Sequence, residues 1–187
     1  MIFNPTSLAG AFVVDLEQRE DHRGFFARTW CQREFETHGL NGRLAQCSIS
    51  FNYERGTLRG MHWQAPPFGE AKLVRCTRGA IHDVIIDLRG GSPTFTKSFS
   101  VILSYQNRRM LYVPPGLAHG FQTLEGDTEV TYQISEFYRP ECARGVRWND
   151  PAFAIEWPRT GNRVMSLRDQ TYPDFMAGLK EPNVFAR

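Results

Sequence analysis

Among the 187 residues there is no run of about 18 apolar side chains, which excludes a helical membrane span from the reading. Cysteine is scarce: Cys31, Cys47, Cys76 and Cys142 lie far apart without a C-x-x-C spacing. Nothing at the N-terminus reads as a charged and then apolar signal segment, so a reducing cytoplasm is the expected location. Each cysteine is then best read as a small buried apolar residue. Charge of one sign is also missing, because 22 basic and 20 acidic side chains leave a net +2. That balance argues against bulk electrostatic binding to nucleic acid or to an acidic membrane surface. Internal repeats, low-complexity stretches and linkers are absent as well, and the expected partner is a small molecule or another protein.

What the sequence does have is aromatic side chains, 13% of the total with fourteen Phe. Such rings fill a sandwich core, cover an interface or stack on flat ligands. The length suits one domain with a substantial core. Its central two thirds alternates apolar and polar residues in short segments broken by Gly, Pro and Asn, the pattern of an antiparallel sandwich or barrel. Strands are expected over 72–77, 80–88, 99–103, 110–113, 120–124 and 129–135. Turns at Arg78-Gly79 and Glu125-Gly126-Asp127 read as hairpins joining them. The one clear helix of the first half is CQREFETHG, anchored by Phe35 and stopped by Gly39. After Trp148, prolines 151, 158 and 173 predict an irregular layer with a helical turn or two near Ser166.

The segment Gly56–Cys76, GTLRGMHWQAPPFGEAKLVRC, concentrates the chemistry by placing Arg59, His62 and Lys72 among strand and turn residues. Alternation sets Lys72 on the face of Val74 and Cys76, where a charge is costly unless it is paired or used. A closed sandwich leaves a cavity between its sheets, and His62, Lys72 and Tyr132 are candidates for its lining. A metal-binding sandwich would need an H-x-H pair, but His62-Trp63-Gln64 offers an apolar residue and an amide instead. Only its second half, Pro114, Gly116 and His119, fits, and no metal is expected. Duller readings also exist: His62 as a structural histidine, Tyr132 as core, and Asp169 as part of a capping box with Ser166 three residues earlier.

Taken together, LRGMHWQ, KLVRC, PPGLAHGF, the tyrosine of EVTYQ and RGVRWNDPAFAIEWP resemble the dTDP-4-dehydrorhamnose 3,5-epimerases, from about Asp15 to Asp169. The resemblance implies an all-β fold, a cupin-type antiparallel jelly roll with short peripheral helices, spanning 1–187 as one domain. Its core would run over about 40–140 and its irregular C-terminal layer over about 148–187. It further implies a cofactor-independent homodimer acting on a nucleotide-linked 4-keto-6-deoxy hexose, whose C3 and C5 hydrogens are acidified by the C4 ketone. By motif match, His62 is the base, Asp169 orients it, Lys72 stabilises the enolate and Tyr132 is the acid on the opposite face. Arg23 and Arg59 match diphosphate contacts, His119 and Gln46 match other substrate contacts, and Arg168 completes the binding set. Phe26 lies on a strand that, in the family, reaches across the dimer to the partner's nucleotide.

The chain also departs from the family pattern. Arg28 stands where many members have an acidic residue, Ser48 where Asn is common, Ala143 where an acid is frequent, and Trp63 where tyrosine is usual. Arg28 and Ser48 belong to the expected binding set, so an acceptor replaced by a five-donor cation leaves the nucleobase open. Three other activities stay open beside the 3,5-epimerase: a C3 or C5 single-centre epimerase, a 3,4-ketoisomerase, and a non-catalytic sugar-binding jelly roll.

Overall fold

A computed structural model describes residues 1–175. The first third forms β1 (Ile2–Pro5), β2 (Phe12–Asp15), the hairpin β3 (Arg19–Asp21) and β4 (Gly24–Phe26), and α1 (Gln32–Thr37). Then come β5 (Gln46–Asn52), β6 (Leu58–Gln64), β7 (Lys72–Arg78), β8 (Ala80–Asp87), β9 (Ser98–Ser104), β10 (Met110–Val113), β11 (Leu117–Thr123) and β12 (Thr128–Ile134). A short β13 (Ala143–Gly145) and α2 (Leu167–Gln170) follow.

These strands make a six-stranded sheet, β1-β2-β10-β7-β12-β5, facing a five-stranded sheet, β13-β6-β11-β8-β9. Strands β5 to β12 fall alternately into one sheet and the other, with β8–β9 the only consecutive pair that stays together. That is the jelly-roll order. It corrects the expectation of hairpins: the turns at Arg78-Gly79 and Glu125–Asp127 carry the chain between sheets, so β7 pairs with β10 and β12 instead of β8. The sheets also extend outside 40–140, because β1, β2 and β13 join them. Strand β11 begins at Leu117 where Gly120 was expected, which places His119 in the sheet.

Between the sheets lies a core of Val74, Cys76, Ile81, Ile85, Leu111, Phe121 and Val130, all buried. A fully buried side chain of this kind contributes about 1.5–3 kcal/mol. Outside the six-stranded sheet, α1 inserts Phe35 against Leu73, Met110 and Tyr112. Outside the five-stranded sheet, Val146, Phe153, Ile155 and Trp157 of the C-terminal layer cover Met61, Val84 and Ile86. That layer is irregular, as its prolines predict, and its function here is to bring α2 against β6.

Candidate active site

Strand β6 supplies two cavity residues that a regular strand could not place together. Arg59 and His62 are three positions apart, so simple alternation would send them to opposite faces. The register with β11 resolves this: His62 lies opposite His119 but Arg59 opposite Phe121, so β6 carries one extra residue. This is a β-bulge, and it turns both side chains inward. Glycine makes it possible. Gly60 has φ +124°, and a Cβ there would lie 2.5 Å from Gly120 Cα and 2.9 Å from the His119 carbonyl oxygen. We expect Gly60→Ala to cost at least about 1–3 kcal/mol from backbone strain and to lower turnover by displacing Arg59 and His62. Gly91→Ala is the control, with φ +87° but no atom within 4 Å. Melting temperatures and rates of the two variants separate steric conflict from strain.

A cavity of about 800 Å³ opens between the sheets at this end. His62 and Arg59 line it from β6, His119 from β11, Lys72 from β7, Tyr132 from β12, Gln46 and Ser48 from β5, and Arg168 and Asp169 from α2. His62 Nε2 lies 2.7 Å from Asp169 Oδ1. Burial alone would raise the Asp169 carboxyl, but the hydrogen bond and charge of His62, with the Gly60 N–H at 3.4 Å, hold it below its ordinary value. An ionised carboxylate only accepts, so Nε2–H is the donor and Nδ1 is the nitrogen available to take a proton. The Asp169 N–H meanwhile donates to Ser166 Oγ at 3.1 Å. Asp169 therefore satisfies both readings with different atoms, its N–H capped by Ser166 and its carboxylate partnering His62.

Lys72 is 9% exposed, as the alternation required. Its Nζ lies 2.9 Å from Glu70 Oε1 and donates to the His62 carbonyl at 3.3 Å. Tyr132 packs against the inter-sheet core with its ring edge-on to His119, centroids 6.0 Å apart. Burial, with the nearby Asp83 charge, pushes its phenol well above the ordinary value of 10, so it stays protonated. His119 Nε2 is 2.8 Å from Asp83 Oδ1, and both side chains are buried. Arg59 Nε donates to Asn52 Oδ1 at 2.8 Å, and Gln46 Oε1 accepts from the Tyr138 N–H at 2.6 Å. Around one cavity, a basic nitrogen, a neutral phenol and an ammonium can take a proton from carbon, return one and stabilise the charge formed between.

Three expected binding residues lie elsewhere. Arg23 and Phe26, on the β3–β4 hairpin, are 78% and 74% exposed, and Arg23 pairs with Asp21 at 2.6 Å. Arg28 pairs with Glu34 at 2.7 Å. None of the three reaches the cavity of its own chain. Glu70, Asp83, Tyr138 and Arg144 were not singled out from the sequence. Asp83 carried a signal, since alternation places it between Ile81 and Ile85 on the core face of β8. Gln64 is spent on backbone: its amide donates to the Phe68 and Phe137 carbonyls at 2.6 and 3.0 Å and accepts from the Arg139 N–H at 2.7 Å. Among the described residues no three His, Cys, Asp or Glu side chains are grouped to hold a metal ion.

The family model for dTDP-4-dehydrorhamnose 3,5-epimerase matches residues 5–177. The chain belongs to this family. The epimerase of Sinorhizobium fredii is 40% identical over 173 residues, covering 92% of this chain and 89% of the relative. The crystal structure of the Bacillus anthracis dTDP-4-dehydrorhamnose 3,5-epimerase, with TDP and PPi bound, superposes with a TM-score of 0.88 at 39% identity. It covers 93% of this chain and 99% of that one. ChmJ, a 3'-monoepimerase of Streptomyces bikiniensis in complex with dTDP-quinovose, gives 0.84 at 33% identity, over 91% and 86% of the two chains. The four motif residues His62, Lys72, Tyr132 and Asp169 all line the one cavity.

Proposed function

We propose that this protein is an isomerase that inverts both C3 and C5 of a nucleotide-linked 4-keto-6-deoxy hexose. The observation that carries the reading is the convergence of His62 with Asp169, Lys72 and Tyr132 on one cavity, within a chain of this family. His62 Nδ1 removes the proton alpha to the C4 ketone, and Asp169 stabilises the resulting imidazolium. Lys72 neutralises the C4 oxyanion, and Tyr132 returns a proton from the opposite face. Arg59, Gln46, Ser48, His119 and Arg168 bind the nucleotide sugar, the guanidinium forks suiting its diphosphate. Proton transfer alone asks for no redox cofactor.

The protein acts as a homodimer in this reading. Strand β5 is a sheet edge that exposes Ile49, with Tyr53 just beyond it, and the hairpin exposes Phe26. Long exposed edges are normally covered. Arg23, Phe26 and Arg28 would then serve the partner's cavity. Four free thiols fit a reducing cytoplasm.

Turnover of dTDP-4-keto-6-deoxyglucose in D2O tests the assignment. Deuterium is expected at C3 and C5, and label at one carbon only would select the single-centre reading that the ChmJ likeness keeps in play. Tyr132→Phe adds a check on the acid: solvent label should still enter, returned to the face it left, while net inversion slows by about 10²-fold or more. Inversion at the native rate would remove Tyr132 from that role.

A further inference from the structure

Three acids stand behind three bases around the cavity: Asp169 behind His62, Asp83 behind His119, and Glu70 behind Lys72. The first two pairs join groups far apart in sequence. The third joins residues two apart, Glu70 just ahead of β7 and Lys72 at its first position, with both side chains nearly buried, 12% and 11% exposed. Among the described residues Glu70 is the only carboxylate within 4 Å of the Lys72 ammonium.

We propose that Glu70 is a positioning residue for the reaction, holding the Lys72 ammonium aimed at the C4 oxygen of the sugar. The inference rests on the epimerase reading for its consequence, but not for its electrostatics.

The argument begins with what surrounds the ammonium. Its strand neighbours Val113 and Ile134 are apolar and give it no partner. The same cavity is lined by His62 and Arg59 of β6, His119 of β11, Tyr132 of β12, Arg144 of β13, and Arg168 with Asp169 of α2. Three of these are guanidiniums, which repel a fourth cation, and the acids Asp169 and Asp83 are committed to imidazoles. Low exposure also makes an unpaired ammonium costly. Glu70 at 2.9 Å opposes both effects. The second contact, Nζ to the His62 carbonyl, fixes the direction, since that carbonyl belongs to the base residue itself. Electrophile and base are thereby held in one frame.

Glu70→Gln keeps shape and hydrogen bonding while removing the charge. Misplacing the ammonium should lower kcat by about tenfold or more while KM changes little. Affinity for TDP, measured by thermal shift, should be unchanged. Glu70→Asp, which keeps the charge, should show the smaller deficit and serves in place of the glutamine variant should that one fail to fold. A second readout needs no turnover. The sequence holds three lysines, Lys72, Lys97 and Lys180, so a 13Cε-lysine spectrum assigned with Lys72→Arg follows the amine directly. That resonance should move in Glu70→Gln and lie nearer its native position in Glu70→Asp. An unchanged kcat, or a loss carried by KM instead, with an unmoved Lys72 resonance, overturns the proposal and leaves the epimerase reading standing. Native enzyme that exchanges no substrate proton while the resonance moves as expected would sink the epimerase reading alone.

Discussion

His62→Ala is expected to fold and to lose about 10² to 10⁴-fold in kcat, the usual worth of a positioned general base. Solvent deuterium exchange at C3 and C5 should fall with it, because the imidazole proposed to take those protons is gone. TDP binding should change little, since the nucleotide contacts belong to other side chains. The variant also reports on Asp169. In the native protein its carboxyl sits below the ordinary value despite burial, because His62 hydrogen-bonds to it. A group with a depressed folded pKa stabilises the fold above its unfolded pKa of about 3.9, and that contribution is lost as pH falls through the folded value. Remove the imidazole and burial, the largest influence on this carboxyl, is opposed only by the Gly60 N–H and Ser166, so ionised Asp169 stabilises the fold less at neutral pH. The difference in melting temperature between native and variant should be largest near neutrality and close below about pH 4. Exchange at C5 at the native rate would show that the base lies elsewhere.

Lys72→Met should cost about 2.7–4 kcal/mol of transition-state stabilisation, roughly 10² to 10³ in kcat, the worth of one oxyanion donor. Methionine keeps the stem's packing, which separates the charge from the space it fills. The loss should appear in kcat and kcat/KM alike, with KM nearly constant, as for an interaction made only in the transition state. Lys72→Arg should not restore the rate, because a planar fork reaching into an 800 Å³ cavity presents its donors differently from a compact ammonium. A rise in KM with kcat intact would instead mark Lys72 as a ground-state binding residue.

The fold class was readable because alternation is a local signal. Val74 and Cys76 face the inter-sheet core and Leu73 the opposite side, as their period requires. Pairing was not readable. The Arg78-Gly79 turn tells where the chain reverses but not which strand it meets next, and β7 meets β10 and β12. The inward Lys72 followed from parity, and the same parity counted back two positions would have found Glu70. Arg59 and His62 on one wall could not follow from parity at all. A glycine inside a strand hints at a bulge, but the extra residue is visible only against β11. The His62–Asp169 pair spans 107 positions, and only motif resemblance joined them in the sequence. Without the resemblance Ser166 with Asp169 read more readily as a cap, and the structure holds both contacts. Arg23, Phe26 and Arg28 are on an outward hairpin and the segment after it, where a single chain cannot show what they touch.

A polypeptide that changes sheet at nearly every reversal has few sequence neighbours that are also spatial neighbours. Loop closure must then precede most of the pairing that rewards it, and topologies of this kind reach the native state in roughly milliseconds to seconds. The pocket inherits that history. Its walls come from strands of opposite sheets, and Asp169, on the helix of the last described layer, is the last of the proposed groups to be made. The proposed proton chemistry would thus be complete only once that layer has docked.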